Sequence, residues 1–144
     1  MKTSQRGIDL IKKYEGFRAT AYRCPAGILT IGYGHTGNVS PSQVITQEQA
    51  EDLLRIDVVE AEEVVCKMVK SKITQNQFDA LVSFVFNCGS GNFQKSTLLK
   101  RVNANPQDVS GITEAFKMWN GGKGKELPGL IKRRAEEALL YSAS

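Results

Sequence analysis

The sequence predicts an α+β fold in which a small, irregular sheet near the N-terminus is followed by helices. Residues 17–36 are rich in glycine and in β-forming side chains, whereas the chain after residue 45 repeatedly shows apolar residues at helical spacing. With 144 residues, of which 41% are hydrophobic, the chain is long enough for one packed domain and too short for two independent ones.

Charge is unevenly distributed along the chain. Residues 1–45 carry a net charge of +4, residues 46–65 carry −6 and residues 66–144 carry +6. An acidic band between two basic parts suggests a surface that meets an anionic polymer away from that band. Nucleic acid, an anionic cell wall and a membrane surface all fit, so charge alone does not choose among them.

The three cysteines, Cys24, Cys66 and Cys88, are an odd number, far apart and without metal-ligand spacing. We expect reduced thiols made in a cytosol, with no metal and no cofactor. The N-terminus has no apolar run of signal-peptide length, and no window reaches the ~18 apolar residues of a membrane span. If the protein acts outside the membrane, something else must let it out.

The first helix is predicted from Ser4 to Tyr14, with Gly16 as its stop signal. Glu15 then lies at the helix C-terminus, where the negative end of the helix dipole disfavours a carboxylate. On position alone, Glu15 could equally be a solvated helix-end residue. The sheet segment that follows is short, so we expect helices to pack against it.

Two capping boxes predict the starts of later helices. Thr46 opens a helix over about 46–69, which would span about 30 Å and could join two lobes. Thr74 opens a helix that ends at Gly89. Three more helices are predicted over 93–102, 106–119 and 128–141, with Pro106 and Pro128 at helix starts. Residues 120–129 are predicted to form a mobile, glycine-rich loop.

The motif around the first helix suggests chemistry on a glycosidic bond, which needs an acid for the leaving oxygen and a second group near the anomeric carbon. No Asp or Glu lies between Glu15 and Glu48, so the sheet cannot supply a second carboxylate. Glu15, eight residues, Cys24, five residues and Thr30, followed by TIGYGHT, resembles the phage-type lysozymes (endolysins) of glycoside hydrolase family 24. Their pattern is Glu, eight residues, Asp or sometimes Cys, five residues, Thr.

The resemblance continues in FNCG at 86–89, FQKSTLL at 93–99 and GLIKRRAEEALLY at 129–141. It implies a lysozyme-like α+β fold with a sheet-bearing N-terminal lobe over about 1–55 and a helical C-terminal lobe over about 70–144. The two lobes would be joined by the helix over about 46–69. The implied reaction is hydrolysis, with inversion, of the β-1,4 bond between N-acetylmuramic acid and N-acetylglucosamine in peptidoglycan.

Within this resemblance, Glu15 is the general acid and Thr30 holds the attacking water. Cys24 occupies the usual aspartate position, where it would accept the proton of the water, act as a nucleophile or only fill space. Arg23 beside it could lower the pKa of the thiol. Three further residues are implied to line the saccharide cleft and bind substrate: Thr36, Phe86 and Ser96.

Several of these residues also have structural interpretations. Phe86 lies in an apolar helix and could be a core residue. Arg133 and Arg134 look like surface residues of a helix, although one of them could orient Glu15 as a family arginine does. The resemblance also implies an ion pair between His35 and Asp57 that joins sheet to helix. The alternative for this histidine is a solvated side chain.

Two other functions remain open from the sequence. A lytic transglycosylase would use one glutamate without a water-directing partner, so Thr30 favours hydrolysis. An inactive module that binds cell wall or nucleic acid would need only the basic termini, but no basic stripe is interleaved with aromatics. We expect peptidoglycan as the partner, no nucleic acid and a monomer. By analogy with the family, the protein waits in the host cytoplasm for a holin-type pore that releases it to the periplasm or cell wall.

Overall fold

The computed structural model describes residues 1–120 and 127–143, and it confirms the predicted α+β class with a small sheet near the N-terminus. The predicted glycine-rich loop falls largely on residues outside these ranges. No helix within them is both long and apolar enough to cross a membrane. The elements, in chain order, are α1 (Gln5–Glu15), β1 (Arg18–Arg23), β2 (Leu29–Gly32), α2 (Gln47–Asp57), α3 (Val59–Met68), α4 (Gln75–Cys88), α5 (Ser90–Gln94), α6 (Thr97–Ala104), α7 (Val109–Lys117) and α8 (Pro128–Ser142).

The sheet is a single antiparallel pair, β1 and β2, joined by a turn. Its register shifts between Arg18 and Tyr22, so the pairing along β1 is irregular. An isolated bridge between Thr20 and Val44 attaches the following loop to its edge. The sheet is therefore as small and irregular as the sequence predicts.

The predicted single helix over 46–69 is wrong, because the chain forms two helices that meet at Val58. The backbone of Val58 stays in the right-handed helical region, with φ −76° and ψ −12°, so the interruption is a bend. α2 packs against β2, whereas α3 packs against α4 and α5. We attribute the bend to this change of packing partner, which the local sequence does not reveal.

Helix α4 is the centre of the core. Every residue from Gln77 to Val85 is buried, which means that the helix is covered on all sides. α1, α3, α5 and α8 all pack against it. Its start is the predicted capping box, in which the Thr74 hydroxyl accepts from the backbone N–H of Gln77 and the Gln77 side chain accepts from that of Thr74.

Two other helix predictions need correction. The predicted helix over 93–102 is interrupted after α5, and α6 begins with Ser96 as its N-cap. The helix predicted from Pro106 begins later, because the carboxylate of Asp108 caps α7 by accepting from the N–H of Gly111. Pro128 stands at the start of α8 as predicted.

Helix α1 is tied to the helical part of the molecule at its N-terminus. The Thr3 backbone N–H and hydroxyl donate to Glu62 of α3, at 2.6 and 2.7 Å. The Ser4 backbone N–H and hydroxyl donate to the buried carboxylate of Asp79 on α4, the N–H at 3.0 Å. Gly7 permits the close approach, because a Cβ there would lie 2.9 Å from the Asp79 side chain. α1 thus packs with the C-terminal helices, which differs from the predicted lobe of residues 1–55.

Asp79→Ala should lower the free energy of unfolding by about 2–3 kcal/mol, because it leaves the partly buried donors of Ser4, the N-cap of α1, without their charged acceptor. The matched control is Asp108→Ala, which removes an exposed helix cap and should cost about 1 kcal/mol. Urea unfolding followed by circular dichroism measures both. A loss at Asp79 no larger than that at Asp108 would contradict the proposed anchoring of α1.

Candidate active site

Glu15 is the last residue of α1, and Gly16 ends the helix with φ +73°. The carboxylate is 23% exposed, and its Oε2 accepts a hydrogen bond from Nη1 of Arg133 at 2.8 Å. Arg133 is only 3% exposed, which corrects the prediction that Arg133 and Arg134 are surface residues. A buried guanidinium therefore holds one oxygen of the candidate acid, while the side chain still reaches solvent.

The segment after β2 lies against the other carboxylate oxygen. A Cβ built on Gly34 would lie 3.2 Å from Oε1 of Glu15, and Gly34 has φ +85°. A side chain at this position would be strained by the backbone and would crowd the acid. Gly34 thus lets the sheet motif TIGYGHT approach Glu15.

Cys24 begins the turn of the hairpin, and Thr30 lies on β2. The pKa of the Cys24 thiol is lowered by hydrogen bonds from the backbone of Ile28 and then of Ala26, with a further contribution from the Thr30 side chain. Thr30 is 4% exposed, and its hydroxyl lies 2.9 Å from the Ile28 carbonyl oxygen, so this carbonyl and the Cys24 sulfur share one hydroxyl proton between them.

Arg23 has a different role from the one expected. Its Nη1 donates to the carbonyl oxygen of Gly27 at 2.8 Å and so braces the turn. The causes that lower the pKa of Cys24 are the backbone and Thr30 contacts described above. The turn itself, and not the neighbouring charge, therefore favours the thiolate.

His35 and Asp57 adopt the arrangement that the resemblance implies. Nδ1 of His35 lies 2.8 Å from Oδ2 of Asp57, and Nε2 lies 2.8 Å from the carbonyl oxygen of Gly37. Both ring nitrogens face acceptors, and only the imidazolium can donate at both. The pair joins the loop after β2 to the end of α2.

Two of the residues predicted to line the saccharide cleft, Thr36 and Phe86, are at least partly accessible to solvent. Thr36 is exposed, and Phe86 is half-buried on a cavity of about 220 Å³ between the α2–α3 pair and the α4–α5 pair. The role of both residues as saccharide contacts stays a prediction. The cavity is lined by Asp57, Glu60, Ala61, Val64, Val85, Phe86, Gly89 and Ser90.

Ser96 does not fit the predicted role in substrate binding. It is 2% exposed, and its hydroxyl donates to the Phe93 carbonyl oxygen at 2.7 Å. The same hydroxyl accepts from the backbone N–H of Leu99 at 3.0 Å. Its hydrogen-bonding capacity is therefore used in capping α6, which corrects the earlier interpretation.

Two buried residues behind Arg133 escaped the sequence analysis, namely Ser83 on α4 and Glu137 on α8. The string KRRAEE is typical of a solvated helix face, so composition does not indicate that some of its side chains are buried. A signal was nevertheless present, because Arg134, Ala138 and Tyr141 follow an i, i+4, i+7 pattern. Ala138 and Tyr141 are core residues, and their face of α8 is the one that carries the charged side chains inward.

Glu15 is held by a buried arginine, and the segment that approaches it at Gly34 follows a hairpin that carries the Cys24 thiol and the Thr30 hydroxyl. A positioned acid and a second group that can direct water are what glycosidic bond cleavage requires, so fold and site together define a glycosidase of the lysozyme class. The sequence model of the phage lysozyme family matches residues 12–137, and the chain belongs to this family.

Similar proteins agree with this assignment. The endolysin of Acyrthosiphon pisum secondary endosymbiont phage 1 is 49% identical over 148 residues, which cover 99% of this chain and all of the relative. The solved muramidase domain of SpmX from Asticaccaulis excentricus is 42% identical, with a TM-score of 0.90 and 97% of each chain covered. A mutant of the P22 lysozyme is 36% identical, with a TM-score of 0.89 and 98% of each chain covered. The predicted family, fold and enzyme class are thereby confirmed, and neither alternative function is favoured.

Asp57→Asn should lower the melting temperature, because a neutral amide replaces the carboxylate that contacts Nδ1 of His35 at 2.8 Å. The expected loss is about 1 kcal/mol for this partly exposed pair. The specific activity of the folded enzyme should change little. The matched control is Asp52→Asn, which alters an exposed residue of the same helix. Equal melting temperatures for the two variants would show that the pair contributes nothing to stability.

Proposed function

We propose that this protein is an endolysin that hydrolyses the β-1,4 bonds between N-acetylmuramic acid and N-acetylglucosamine in bacterial peptidoglycan, with inversion. The observation that carries the proposal is the contact between Glu15 and Arg133 at the end of α1, directly beside Gly34. The names of the relatives, endolysin and muramidase domain, support the substrate.

Proton donation falls to Glu15. Oε2 is engaged by Arg133, so Oε1, the oxygen that faces Gly34, is the one free to carry the proton. Transfer of this proton to the glycosidic oxygen accompanies cleavage of the bond between that oxygen and the anomeric carbon. The leaving sugar departs as a neutral alcohol, and Glu15 is left as a carboxylate beside Arg133.

The attacking water is assigned to Thr30. The hydroxyl has one proton, and whether this proton is directed to the Ile28 carbonyl oxygen or to the Cys24 thiolate, the hydroxyl oxygen can accept from a water. That water would attack the anomeric carbon from the face opposite the leaving group and give its proton to Cys24. One proton leaves Glu15 and one reaches Cys24, so exchange with solvent restores the enzyme.

Cys24 can act as a base because of its surroundings. A free thiol is only a few per cent thiolate at neutral pH, whereas an aspartate would be almost fully ionised. The backbone of Ile28 and Ala26 and the side chain of Thr30 lower the pKa of Cys24, which raises the thiolate fraction available to accept the proton. The turn thus compensates in part for the replacement of the usual aspartate.

Release completes the proposal. We propose that the enzyme accumulates as a monomer in the host cytoplasm until a holin-type pore lets it reach the wall. The name endolysin of the relatives supports action on the cell wall and does not specify how the enzyme is released, and two relatives are named SAR-endolysin.

Glu15→Gln should abolish turnover, because the amide cannot donate the required proton, while circular dichroism shows that the variant is still folded at the assay temperature. Its melting temperature should be lower than that of the wild type, because the buried Arg133 loses a charged partner. The assay is turbidity loss of outer-membrane-permeabilised cells. Glu114→Gln, which changes an exposed glutamate paired with Arg101, is the control and should lyse cells normally. Activity of Glu15→Gln above about a tenth of wild type would mean that the acid lies elsewhere.

Cys24→Ser should reduce activity far more than Cys66→Ser, because a hydroxyl does not ionise near neutrality. Thiol alkylation should likewise inactivate the enzyme, with protection by substrate. Cys66 is exposed and is the matched control, whereas Cys88 is unsuitable because Arg134 donates to its sulfur at 2.6 Å.

Cys24→Asp should stay active and move the acidic limb of the pH profile to lower pH. The sign follows from the base role: activity is lost as pH falls through the pKa of the base, which is lower for an aspartate than for the thiol. Wild-type turnover in Cys24→Ala would instead show that Glu15 and the water held by Thr30 suffice.

A further inference from the structure

A buried cluster of charges stands behind Glu15 at the contact of α8 with α4. Arg133, Arg134 and Glu137 on α8 are 3%, 0% and 0% exposed, and Ser83 on α4 is fully buried. Side chains of this kind are rarely buried unless they are paired. The proposed mechanism uses only the arginine that contacts Glu15, so the other members need a separate explanation.

Glu137 is the hub of the cluster. Its Oε2 accepts from the Ser83 hydroxyl at 2.5 Å, from Nε of Arg133 at 3.2 Å and from Nη2 of Arg134 at 3.1 Å. Its Oε1 lies 2.8 Å from Nε of Arg134, an ion pair whose alignment does not form a hydrogen bond. One carboxylate therefore contacts two guanidinium groups that cannot be deprotonated.

Each edge of the Arg133 guanidinium has a different partner. Nε faces Glu137, and Nη2 faces the carbonyl and hydroxyl oxygens of Ser83 at 3.2 and 3.3 Å. Nη1 alone points to Glu15. Residues that lie away from the cleft thus fix the direction of the group that holds the acid.

The charge of the cluster affects the proton on Glu15. A guanidinium favours the ionised form of a neighbouring carboxyl group, yet a general acid has to carry its proton. Burial raises the pKa of Glu137. The two guanidinium groups that contact its carboxylate cannot lose their protons, and this contact with two fixed positive charges favours the ionised form. With Glu137 ionised, one anion already offsets part of the positive charge that Arg133 and Arg134 present to Glu15.

We infer that Glu137 is a positioning residue that aims Arg133 at Glu15 and offsets its charge, so that Glu15 can hold both its orientation and its proton. This inference rests on the proposed role of Glu15 as the acid. Ser83 supports Glu137 by donating to it and by holding the far edge of Arg133.

Two other titratable groups contact the cluster. The Tyr14 ring centre lies 5.9 Å from the Arg133 guanidinium, and burial, with a hydrogen bond to Glu136, raises the pKa of Tyr14 to about 12. Cys88 accepts from Arg134, and burial raises the pKa of its thiol. Both groups are therefore neutral near pH 7, and neither competes with Glu137 as the counter-ion.

The test is Glu137→Gln, a nearly isosteric change that removes only the charge. Rates are measured as reducing ends released from soluble peptidoglycan fragments, between about pH 4 and pH 9. The alkaline limb should move to lower pH by about one unit, because Arg133 then favours the ionised form of Glu15 more strongly. At neutral pH kcat should fall by about tenfold with KM little changed.

Two further variants make the result decisive. Ser83→Ala should move the same limb in the same direction by less, and it serves as the main test if Glu137→Gln does not fold. Glu114→Gln, remote from the cluster, should leave the profile unchanged. A folded Glu137→Gln enzyme with a lower melting temperature but a wild-type pH profile would overturn the inference and leave Glu137 purely structural.

The failure of this inference can be told apart from the failure of the proposed function. If Glu15→Gln is inactive and Glu137→Gln keeps the wild-type profile, only the positioning role is wrong. If Glu15→Gln remains active, the acid has been misassigned, and the inference fails with it.

Discussion

The need to balance two buried guanidinium groups is the constraint on which the site depends. Arginine cannot shed its charge, and removing one partner from a buried ion pair costs about 3–5 kcal/mol. Arg133 and Arg134 are almost fully buried, so the carboxyl groups of Glu15 and Glu137 must lie within hydrogen-bonding or ion-pair distance of them. The last turn of α1 is consequently held against α8, and the acid is presented from a helix end instead of from a flexible loop.

The rest of the fold holds these charged side chains in position. α4 receives α1 on one side and α8 on another, so the two helices that carry Glu15 and Arg133 share one support. The segment that follows the hairpin comes close to Glu15 at Gly34, which has no side chain that would block this contact. A small, irregular sheet is sufficient for this purpose, because its turn positions Cys24 and Thr30 through backbone hydrogen bonds.

Features that depend on neighbouring residues could be predicted from the sequence, whereas packing between elements distant in sequence could not. Capping boxes at Thr46 and Thr74 and the helix stop at Gly16 depend on neighbours a few residues away, and the structure has them as predicted. The motif spacing located the hairpin that approaches Glu15. The bend at Val58 and the burial of Arg133 depend on elements distant in sequence, where composition indicated a straight helix and a solvated surface.

The attachment of α1 to the C-terminal helices has a consequence for how the protein unfolds. The first fifteen residues lie on α4, the next thirty or so residues form the sheet region, and α3 then brings the chain back to α4. The helical part is therefore built from two separate stretches of the sequence, one before the sheet region and one after it. The helical part cannot be excised as one continuous fragment, because the sheet region lies between α1 and the later helices in sequence. We expect the two parts to lose structure in one cooperative transition instead of in sequence.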